Sequence, residues 1–281
     1  MTPLRQALID ECKLRGYSER TRDSYLYAVT QLAKYYHQSP DTVSDEQLEQ
    51  YFRSLSLERG LSCATIHLQL NGIHFLYKYV LKRTFSIDIV WPKRPRSIPT
   101  LLSKAEVKQI VAHCRHEKYR TMFQVYYGCG LRLNELIHAK VQDIDGARQT
   151  LRIHHGKGNK DRDVILTDSV IRLLRAYWLR YHSGEWLFYS SHIVRHSPVS
   201  ESGVQKAFRQ AVKQAGITKT CSIHSLRHAY ATHQLESGMP LNQLQQQLGH
   251  ADIRTTQTYL HWLPELNNGA QDLMADWDVV S

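Results

Sequence analysis

The last third of the chain concentrates polar residues that are suited to phosphate chemistry. Positions 224–228 read His-Ser-Leu-Arg-His, positions 248–250 read Leu-Gly-His, and Tyr259 follows nine residues later. Arginine and histidine bind phosphate oxygens. A tyrosine hydroxyl, with a pKa of about 10, becomes a useful nucleophile where fixed cations stabilise the charge on the phosphate under attack. The set therefore predicts phosphoryl transfer with Tyr259 as the nucleophile.

Two cations further upstream extend this set. Arg132 lies near the start of a predicted helix, after two glycines that allow a tight entry, and an arginine there can fork two phosphate oxygens. Glu135 could orient Arg132, or the two could form an ordinary surface pair at i, i+3. Lys157 lies in the turn Gly-Lys-Gly-Asn-Lys (156–160) between two predicted strands, where a mobile hairpin could present its compact cation to a phosphate.

Single motifs within this set are also compatible with other functions. The pair His224 and His228 has the i, i+4 spacing of two zinc ligands, but the zincin pattern requires Glu where Ser225 stands, and no carboxylate cluster is near in sequence. The turn at 156–160 lacks the Walker pattern and joins two strands instead of a strand and a helix, which disfavours a nucleotide cradle. Each signal is weak alone. The spacing H-x-x-R, for example, recurs at 192–195.

Charge is unevenly distributed along the chain. The formal net charge is +10, from 36 Lys and Arg against 26 Asp and Glu. Residues 1–90 are nearly neutral, residues 91–104 add four bases and no acid, residues 105–263 carry a surplus of nine bases, and residues 264–281 are acidic. A basic body after a neutral start favours a surface that binds a polyanion, although a solvated basic surface has the same composition.

Cysteine use and hydropathy indicate the compartment. The five cysteines form no C-x-x-C pair and no disulfide framework, and there is no apolar N-terminal segment or apolar run near 18 residues. These features predict a cytoplasmic protein without a membrane partner.

The elements that position these residues form two predicted domains. Residues 1–90 are predicted to be a small helical bundle, with Ser18, Ser44 and Ser62 before its helices. Residues 91–102 contain three prolines and read as an extended basic linker. Residues 103–281 follow, beginning at a capping box at Ser103 and ending in the tail 264–281.

The second domain is predicted to be mostly helical with one hairpin. Residues 151–155 and 163–166 flank the glycine-rich turn as antiparallel strands. Later helices end at Gly216 and Gly249, and one begins at Pro240. The fold class is therefore mainly α (α+β), with a small antiparallel β-sheet.

The joint order of the motifs is more specific than any one of them. The chain resembles the tyrosine recombinases, also called phage-type integrases, in their Xer-like two-domain form. The matching stretches are Gly-Leu-Arg-Leu-Asn-Glu-Leu (130–136), Gly-Lys-Gly-Asn-Lys-Asp-Arg (156–162), His-Ser-Leu-Arg-His-Ala-Tyr-Ala-Thr-His (224–233) and Leu-Gly-His-Ala-Asp-Ile-Arg-Thr-Thr-Gln-Thr-Tyr (248–259). The resemblance covers nearly the whole chain and is strongest from about 100 to 262.

The resemblance implies a role for each motif residue. Tyr259 would attack the scissile phosphate, form a 3′-phosphotyrosyl link and release a 5′-hydroxyl. Arg132 and Arg227 would hold the non-bridging oxygens, and His250 would add a hydrogen bond.

The remaining three residues would support proton transfer and the site. Lys157 would protonate the leaving 5′-oxygen, His224 would assist proton transfer at the nucleophile, and Glu135 would be structural support. The two guanidiniums would supply the charge that nucleases obtain from metal ions, so neither a cofactor nor a metal is implied, and the stored bond energy allows rejoining without ATP.

The resemblance also implies the partners. The first domain would be a core-binding, SAM-like DNA-binding domain that forms a C-shaped clamp around duplex DNA with the catalytic domain. The predicted DNA contacts are Lys78, Lys82 and Arg83 on the third helix, Lys93, Arg94 and Arg96 in the linker, and Lys160 and Arg162 by the hairpin. A monomer in solution would assemble on paired sites as a tetramer of two synapsed dimers, with the C-terminal tail docked on its own or a neighbouring protomer.

The sequence is compatible with several biological roles. The biological role would be integration or excision of a mobile element, or resolution of chromosome or plasmid dimers. Type IB topoisomerase-like relaxation and a DNA-binding regulator without catalysis are the alternatives.

Overall fold

The structure, a computed structural model, describes residues 2–84, 100–154, 161–182, 184–190 and 197–263. These residues form two compact units, which divide at residue 97. Among the described residues, no helix combines the length and apolarity needed to cross a membrane.

The first unit is a helical bundle, as the sequence predicts. Its helices are α1 (Pro3–Leu14), α2 (Glu19–Tyr36), α3 (Asp45–Leu57) and α4 (Cys63–Phe75), with a 3₁₀ turn at Pro40–Thr42. Ser18, Ser44 and Ser62 cap α2, α3 and α4, and the Gln47 side chain completes the predicted capping box with Ser44. Buried aromatic and aliphatic side chains from all four helices form its core.

Helix α4 continues directly into a π-helical segment, Leu76–Val80. The N–H of Leu81 bonds to the carbonyl of Leu76, five residues back, as this wider turn requires. Tyr77 in this segment is fully buried and donates its hydroxyl to the carbonyl of Pro40 at 2.5 Å. The predicted third helix, which begins after Ser62, therefore corresponds to α4 and this segment, but it ends at Val80, before Lys82 and Arg83, and its last turn is wider than an α-helical turn.

The second unit is mostly helical with one small sheet. Its elements are α5 (Lys104–Ala112), α6 (Glu117–Cys129), α7 (Leu133–Ile137), β1 (Ile144–Asp145), β2 (Thr150–Ile153), β3 (Arg162–Ile165), α8 (Asp168–Tyr181), α9 (Glu201–Gln214), α10 (His224–Glu236), α11 (Leu241–Leu248) and α12 (Ile253–Gln257), with 3₁₀ turns at Val141–Asp143 and Leu260–Trp262. The strands form an antiparallel sheet in the order β1-β2-β3, and Leu151 pairs with Val164. The predicted hairpin is present, and β1 is an additional strand.

Helices α6 and α10 lie at the centre of this unit. On α6, Met122, Phe123, Val125 and Tyr126 are fully buried, and α10 buries eight of its residues, Arg227 among them. Polar side chains on a helix that is surrounded by other elements are shielded from bulk water. Hydrogen bonds and interactions between charges are stronger in this interior than in water. The motif His-Ser-Leu-Arg-His begins α10 and so lies at this buried position.

Candidate active site

Among the described residues of the predicted set, Arg227 is the most deeply buried cation. It lies in the first turn of α10 and is 6% exposed. Its guanidinium donates to the carbonyls of Gly130 at 2.5 Å and Leu248 at 2.7 Å. Burial, followed by the positive charge of Arg132, lowers its pKa to about 10, so it remains charged at neutral pH.

Arg132 is held beside Arg227 by the backbone turn at the end of α11. Arg132 is the N-cap residue of α7, and its Nη2 donates to the carbonyl of Gly249 at 2.6 Å. The carbonyls of Leu248 and Gly249 end α11, where the unpaired carbonyls and the helix dipole favour cations. Two guanidiniums are thereby fixed on consecutive peptide groups.

Glu135 connects Arg132 to the hairpin. Its carboxylate accepts from Arg132 Nη1 at 2.7 Å and from the Arg132 N–H at 2.8 Å. It also accepts from both terminal nitrogens of Arg162 on β3, at 2.7 and 2.8 Å. Burial raises the pKa of Glu135, but the hydrogen bonds and charge of Arg162 and the donors of Arg132 outweigh burial and hold it at about 2. The carboxylate is ionised and compensated by both arginines.

A left-handed glycine allows this arrangement to close. Gly249 has φ +65°, which glycine adopts without strain. A Cβ built on Gly249 would lie 2.6 Å from Nε and 2.7 Å from Cζ of Arg162. The Leu-Gly-His motif therefore needs glycine both for its backbone conformation and for space beside Arg162.

His250 follows the glycine and touches Arg227. Its Nε2 lies 3.1 Å from Arg227 Nη2, and its Nδ1 lies 2.9 Å from Thr256 Oγ1. A guanidinium can only donate, so Nε2 is the acceptor and Nδ1 carries the proton in this arrangement. Thr256 is fully buried and fixes the plane of the ring.

Tyr259 lies against these groups with its hydroxyl inside the site. It is 4% exposed, and its ring is parallel to that of His250, with 6.3 Å between ring centroids and 4° between planes. Its Oη lies 3.1 Å from Nδ1 of His228. Burial raises the pKa of Tyr259, while the charge and hydrogen bond of Arg227, and then the charge of Arg132, lower it. The hydroxyl is protonated in the free protein.

His224 contacts a second buried tyrosine. Its Nδ1 lies 3.2 Å from the hydroxyl of Tyr126 on α6. The Nδ1 atoms of His224 and His228 thus face different tyrosines, which does not support the zinc-pair interpretation. Among the described residues, no group of three or more His, Cys, Asp or Glu could hold a metal ion.

Comparison with known sequences shows to which protein family the chain belongs. Residues 100–265 match the sequence model of the phage integrase family, and residues 4–87 match that of the phage integrase N-terminal SAM-like domain. The chain belongs to the phage integrase family. It is a Xer-like tyrosine recombinase, which is a tyrosine site-specific recombinase by enzymatic class.

Individual members of the integrase family match nearly the full length of the chain. It is 30% identical to the tyrosine recombinase XerD of Oceanobacillus iheyensis over 268 residues, covering 88% of this chain and 89% of the relative. A crystal structure of XerA recombinase is 28% identical, covers 93% of this chain and 94% of its own, and superposes with a TM-score of 0.54. A structure of the Tn1549 transposon integrase in complex with transposon right end DNA shares the fold at 17% identity, with a TM-score of 0.72 over 92% of this chain and 94% of its own.

The integrase structure brings five of the six predicted catalytic residues into one region. The five described residues are Arg132, His224, Arg227, His250 and Tyr259, and Glu135 joins them. Lys157 and Lys160 lie outside the described residues, as do Lys93, Arg94 and Arg96 of the linker.

Three predicted DNA contacts on the first unit are described. Lys78 lies on the π-helical segment and is exposed. Lys82 and Arg83 lie just beyond this segment instead of on the predicted third helix, because the chain leaves it at Leu81 and Lys82 has φ +54°. Lys82 is exposed, whereas Arg83 pairs with Asp45 and donates to the carbonyl of Val43 at 3.1 Å.

Two residues of the site carry no obvious signal in the sequence. Gln247 is 6% exposed and its side chain bonds to both backbone groups of Ile165 and to the carbonyl of Cys129, which ties β3 to the ends of α6 and α11. In the sequence, His228 is marked only by its i, i+4 spacing from His224. Its contact with Tyr259 spans 31 residues of sequence, and only the tertiary structure reveals it.

Proposed function

We propose that this protein is a site-specific DNA recombinase that cleaves and rejoins DNA strands through a 3′-phosphotyrosyl link on Tyr259. The observation that carries this proposal is the anchoring of Arg132 and Arg227 on the consecutive carbonyls of Gly249 and Leu248, in one cluster with Tyr259. Fixed cations beside a hydroxyl nucleophile are the arrangement that phosphoryl transfer requires.

The two arginines stabilise the charge on the phosphate. Both are held by backbone carbonyls and, for Arg132, by Glu135, so they need not reorganise when charge develops on the non-bridging oxygens. His250 lies against Arg227 and adds a hydrogen bond to the same oxygens once its Nε2 carries a proton, which replaces the bond it accepts from Arg227 in the free protein. This fixed charge takes the place of a metal ion, and the chemistry requires neither a cofactor nor ATP.

Proton transfer accompanies bond exchange. Tyr259 attacks phosphorus, the bond from phosphorus to the 5′-oxygen breaks, and Lys157 protonates the leaving oxygen. His224 assists proton transfer at the nucleophile. Rejoining reverses these steps, since the phosphotyrosine retains the energy of the bond that was broken.

Duplex DNA is the proposed substrate. The Tn1549 integrase, which shares the fold, is in complex with DNA, and the basic surplus of residues 91–263 suits a polyanion. We propose that the two units clamp a duplex, and that a monomer in solution assembles on paired sites as a tetramer of two dimers in the cytoplasm. The biological role is integration or excision of a mobile element, or dimer resolution.

The test begins with a DNA sequence that the protein itself selects. A Tyr259→Phe variant is used to enrich bound duplexes from a random library, and the enriched sequence is built into a nicked suicide duplex. Wild type is expected to form a covalent adduct on this duplex, and Tyr259→Phe is expected to bind it without forming one. The matched control is Tyr127→Phe, which removes a hydroxyl bonded to His233 and should retain the adduct.

The same material separates the alternatives. Recombination between two enriched sites on one plasmid supports a recombinase, whereas relaxation of a supercoiled plasmid that lacks the site indicates a topoisomerase. Binding without any adduct by wild type indicates a regulator. An adduct that persists in Tyr259→Phe shows that a different residue is the nucleophile.

A further inference from the structure

His228 occupies a position that none of the predicted roles uses. It is the fifth residue of α10, directly after Arg227, and its Nδ1 is 3.1 Å from Oη of Tyr259. The edge of the Trp262 ring packs on His228, with 5.6 Å between ring centroids, and Trp262 also contacts Tyr259. The His228 ring is therefore enclosed by Tyr259 and Trp262, and it contacts the hydroxyl of Tyr259 directly.

The protonation state of this contact follows from its surroundings. Burial, and then the charges of His224 and Arg227 on the same helix, lower the pKa of His228 to about 4, so its ring is neutral at neutral pH. The ionisable group that faces it from the C-terminal segment is Tyr259 itself, and Trp262 does not titrate. A neutral imidazole can accept a hydrogen bond through one ring nitrogen.

The surroundings of Tyr259 allow its hydroxyl to donate the hydrogen bond to His228. The hydroxyl of Tyr259 also interacts with the Arg227 guanidinium, which can only donate. The hydroxyl oxygen is then an acceptor toward Arg227, and its own proton is available to Nδ1 of His228.

We propose that His228 accepts the proton of Tyr259 as the tyrosine attacks the phosphate, an inference that rests on the proposed recombinase function. The proton moves from Oη to Nδ1, the bond from Oη to phosphorus forms, and the bond from phosphorus to the 5′-oxygen breaks with a proton supplied by Lys157. On rejoining, the 5′-hydroxyl attacks phosphorus, loses its proton to Lys157, and Tyr259 leaves and takes its proton back from His228. The cycle therefore consumes no proton and needs no co-reactant.

The substrate itself increases the basicity of His228. In the free protein, the positive charge of Arg227 next to it opposes protonation of the ring. A phosphate bound to Arg227 brings a negative charge to the same place and offsets this effect. His228 therefore becomes a better proton acceptor only when a phosphate is in position, which restricts activation of Tyr259 to the DNA complex.

The test compares the acceptor with two replacements on the suicide duplex described above. His228→Ala is expected to slow single-turnover adduct formation by about 100-fold or more, the usual contribution of a general base, while the affinity for DNA changes little. His228→Gln retains an acceptor for the hydrogen bond but cannot hold a proton, so it should be as slow as His228→Ala. A rate for His228→Gln close to that of wild type would show that His228 only positions the tyrosine.

A change at the nucleophile separates proton acceptance from folding or packing. Difluorotyrosine in place of Tyr259 has a more acidic hydroxyl and needs an acceptor less. The defect of His228→Ala should therefore shrink by at least about tenfold in this background, and an unchanged defect would overturn the proposal. A duplex with a bridging 5′-sulfur, which needs no proton on its leaving group, should rescue Lys157→Ala but not His228→Ala, and rescue of His228→Ala would likewise overturn it.

The outcome also distinguishes the two proposals. If wild type forms no adduct on any enriched duplex, the recombinase function fails. If wild type forms the adduct and His228→Ala matches its rate within threefold, only the role of His228 fails.

Discussion

Arg162 donates both ends of its guanidinium to both oxygens of Glu135, at 2.7 and 2.8 Å, across 27 residues of sequence. This bidentate pair joins the first residue of β3 to the carboxylate that orients Arg132. The side chain of Arg162 is 13% exposed and that of Glu135 is 7% exposed, so the pair is largely shielded from water. The contact connects the hairpin that carries Lys157 with one of the two phosphate-binding arginines.

Removal of the carboxylate that Arg132 and Arg162 share should lower the free energy of unfolding. Glu135→Gln leaves the guanidiniums of Arg132 and Arg162 without their counter-charge, and a broken buried ion pair destabilises by about 3 kcal/mol or more. Four of the five tryptophans lie in the second unit, so urea unfolding followed by tryptophan fluorescence reports mainly on that unit. Adduct formation should also fall, because Arg132 loses its orientation.

The control for Glu135→Gln is an exposed pair on the same hairpin. Asp163→Asn removes the partner of Arg152, and both of these side chains are about half exposed. It is expected to change the free energy of unfolding by less than about 1 kcal/mol. Equal effects of the two substitutions would contradict the structural role assigned to Glu135.

Gly249 should tolerate no side chain. The positive φ at Gly249 is expected to lower the free energy of unfolding of Gly249→Ala by about 1 kcal/mol. The clash of the added Cβ with Arg162 should lower it further. Gly216→Ala is the matched control, because Gly216 has φ +68° and nothing lies within 4 Å of the added Cβ. The difference between the two variants in urea unfolding and in adduct formation isolates the contact with Arg162. Identical behaviour would show that backbone strain alone explains both.

The pH dependence of stability should report on His228. Its folded pKa of about 4 lies below the ordinary unfolded value of about 6.5. Below pH 6.5 the unfolded chain therefore binds a proton that the folded chain does not, so stability decreases as the pH falls toward 4. Between pH 7 and pH 5, His228 should reduce the free energy of unfolding by at most about 2 kcal/mol.

A variant without the imidazole tests this assignment. His228→Gln should lose most of the decrease between pH 7 and pH 5, and the remainder reflects other histidines such as His233, whose pKa is also lowered by burial. Glu135 does not interfere, because its carboxylate, with a pKa of about 2, stays ionised throughout this range. An undiminished decrease in His228→Gln would mean that other groups control the acid sensitivity.

Lys78 and Lys82 should contribute to DNA binding through charge. Each contact with a phosphate steepens the salt dependence of log affinity by about 0.9, so Lys78→Gln with Lys82→Gln should reduce the slope by up to about 2. Lys34 on α2, also exposed, provides a control substitution outside the predicted set. Arg83→Gln should instead destabilise the first unit, because it breaks the contacts with Asp45 and Val43. A salt slope that the double variant leaves unchanged would exclude these two contacts.

Local signals in the sequence predicted much of the fold. Serine caps with glutamine or glutamate three residues later located the starts of α3 and α5, since capping depends on neighbouring residues alone. Glycine followed α11 at the predicted position for the same reason. The π-helical turn at Leu76–Val80 was not predicted, because one extra residue in a turn hardly alters the spacing of apolar side chains.

Long-range contacts account for what the sequence could not show in the site. The motifs provided the residue types and their order, but Gln247 lies in a run of glutamines that reads as a polar surface, and only packing against β3 and α6 buries it. Arg162 was predicted to contact DNA, whereas its guanidinium is engaged by Glu135. Whether it also touches DNA remains a prediction.

The turn after α11 constrains the number of residues between Gly249 and Tyr259 as much as it constrains their types. The carbonyls of Leu248 and Gly249 anchor the two arginines, His250 contacts one of them, and Tyr259 closes the site after one short helix. One residue inserted into α12 would rotate the following side chain by about 100° around the helix axis and turn the tyrosine away from the arginines. Deletions and insertions between Gly249 and Tyr259 should therefore abolish activity even where every functional side chain is retained.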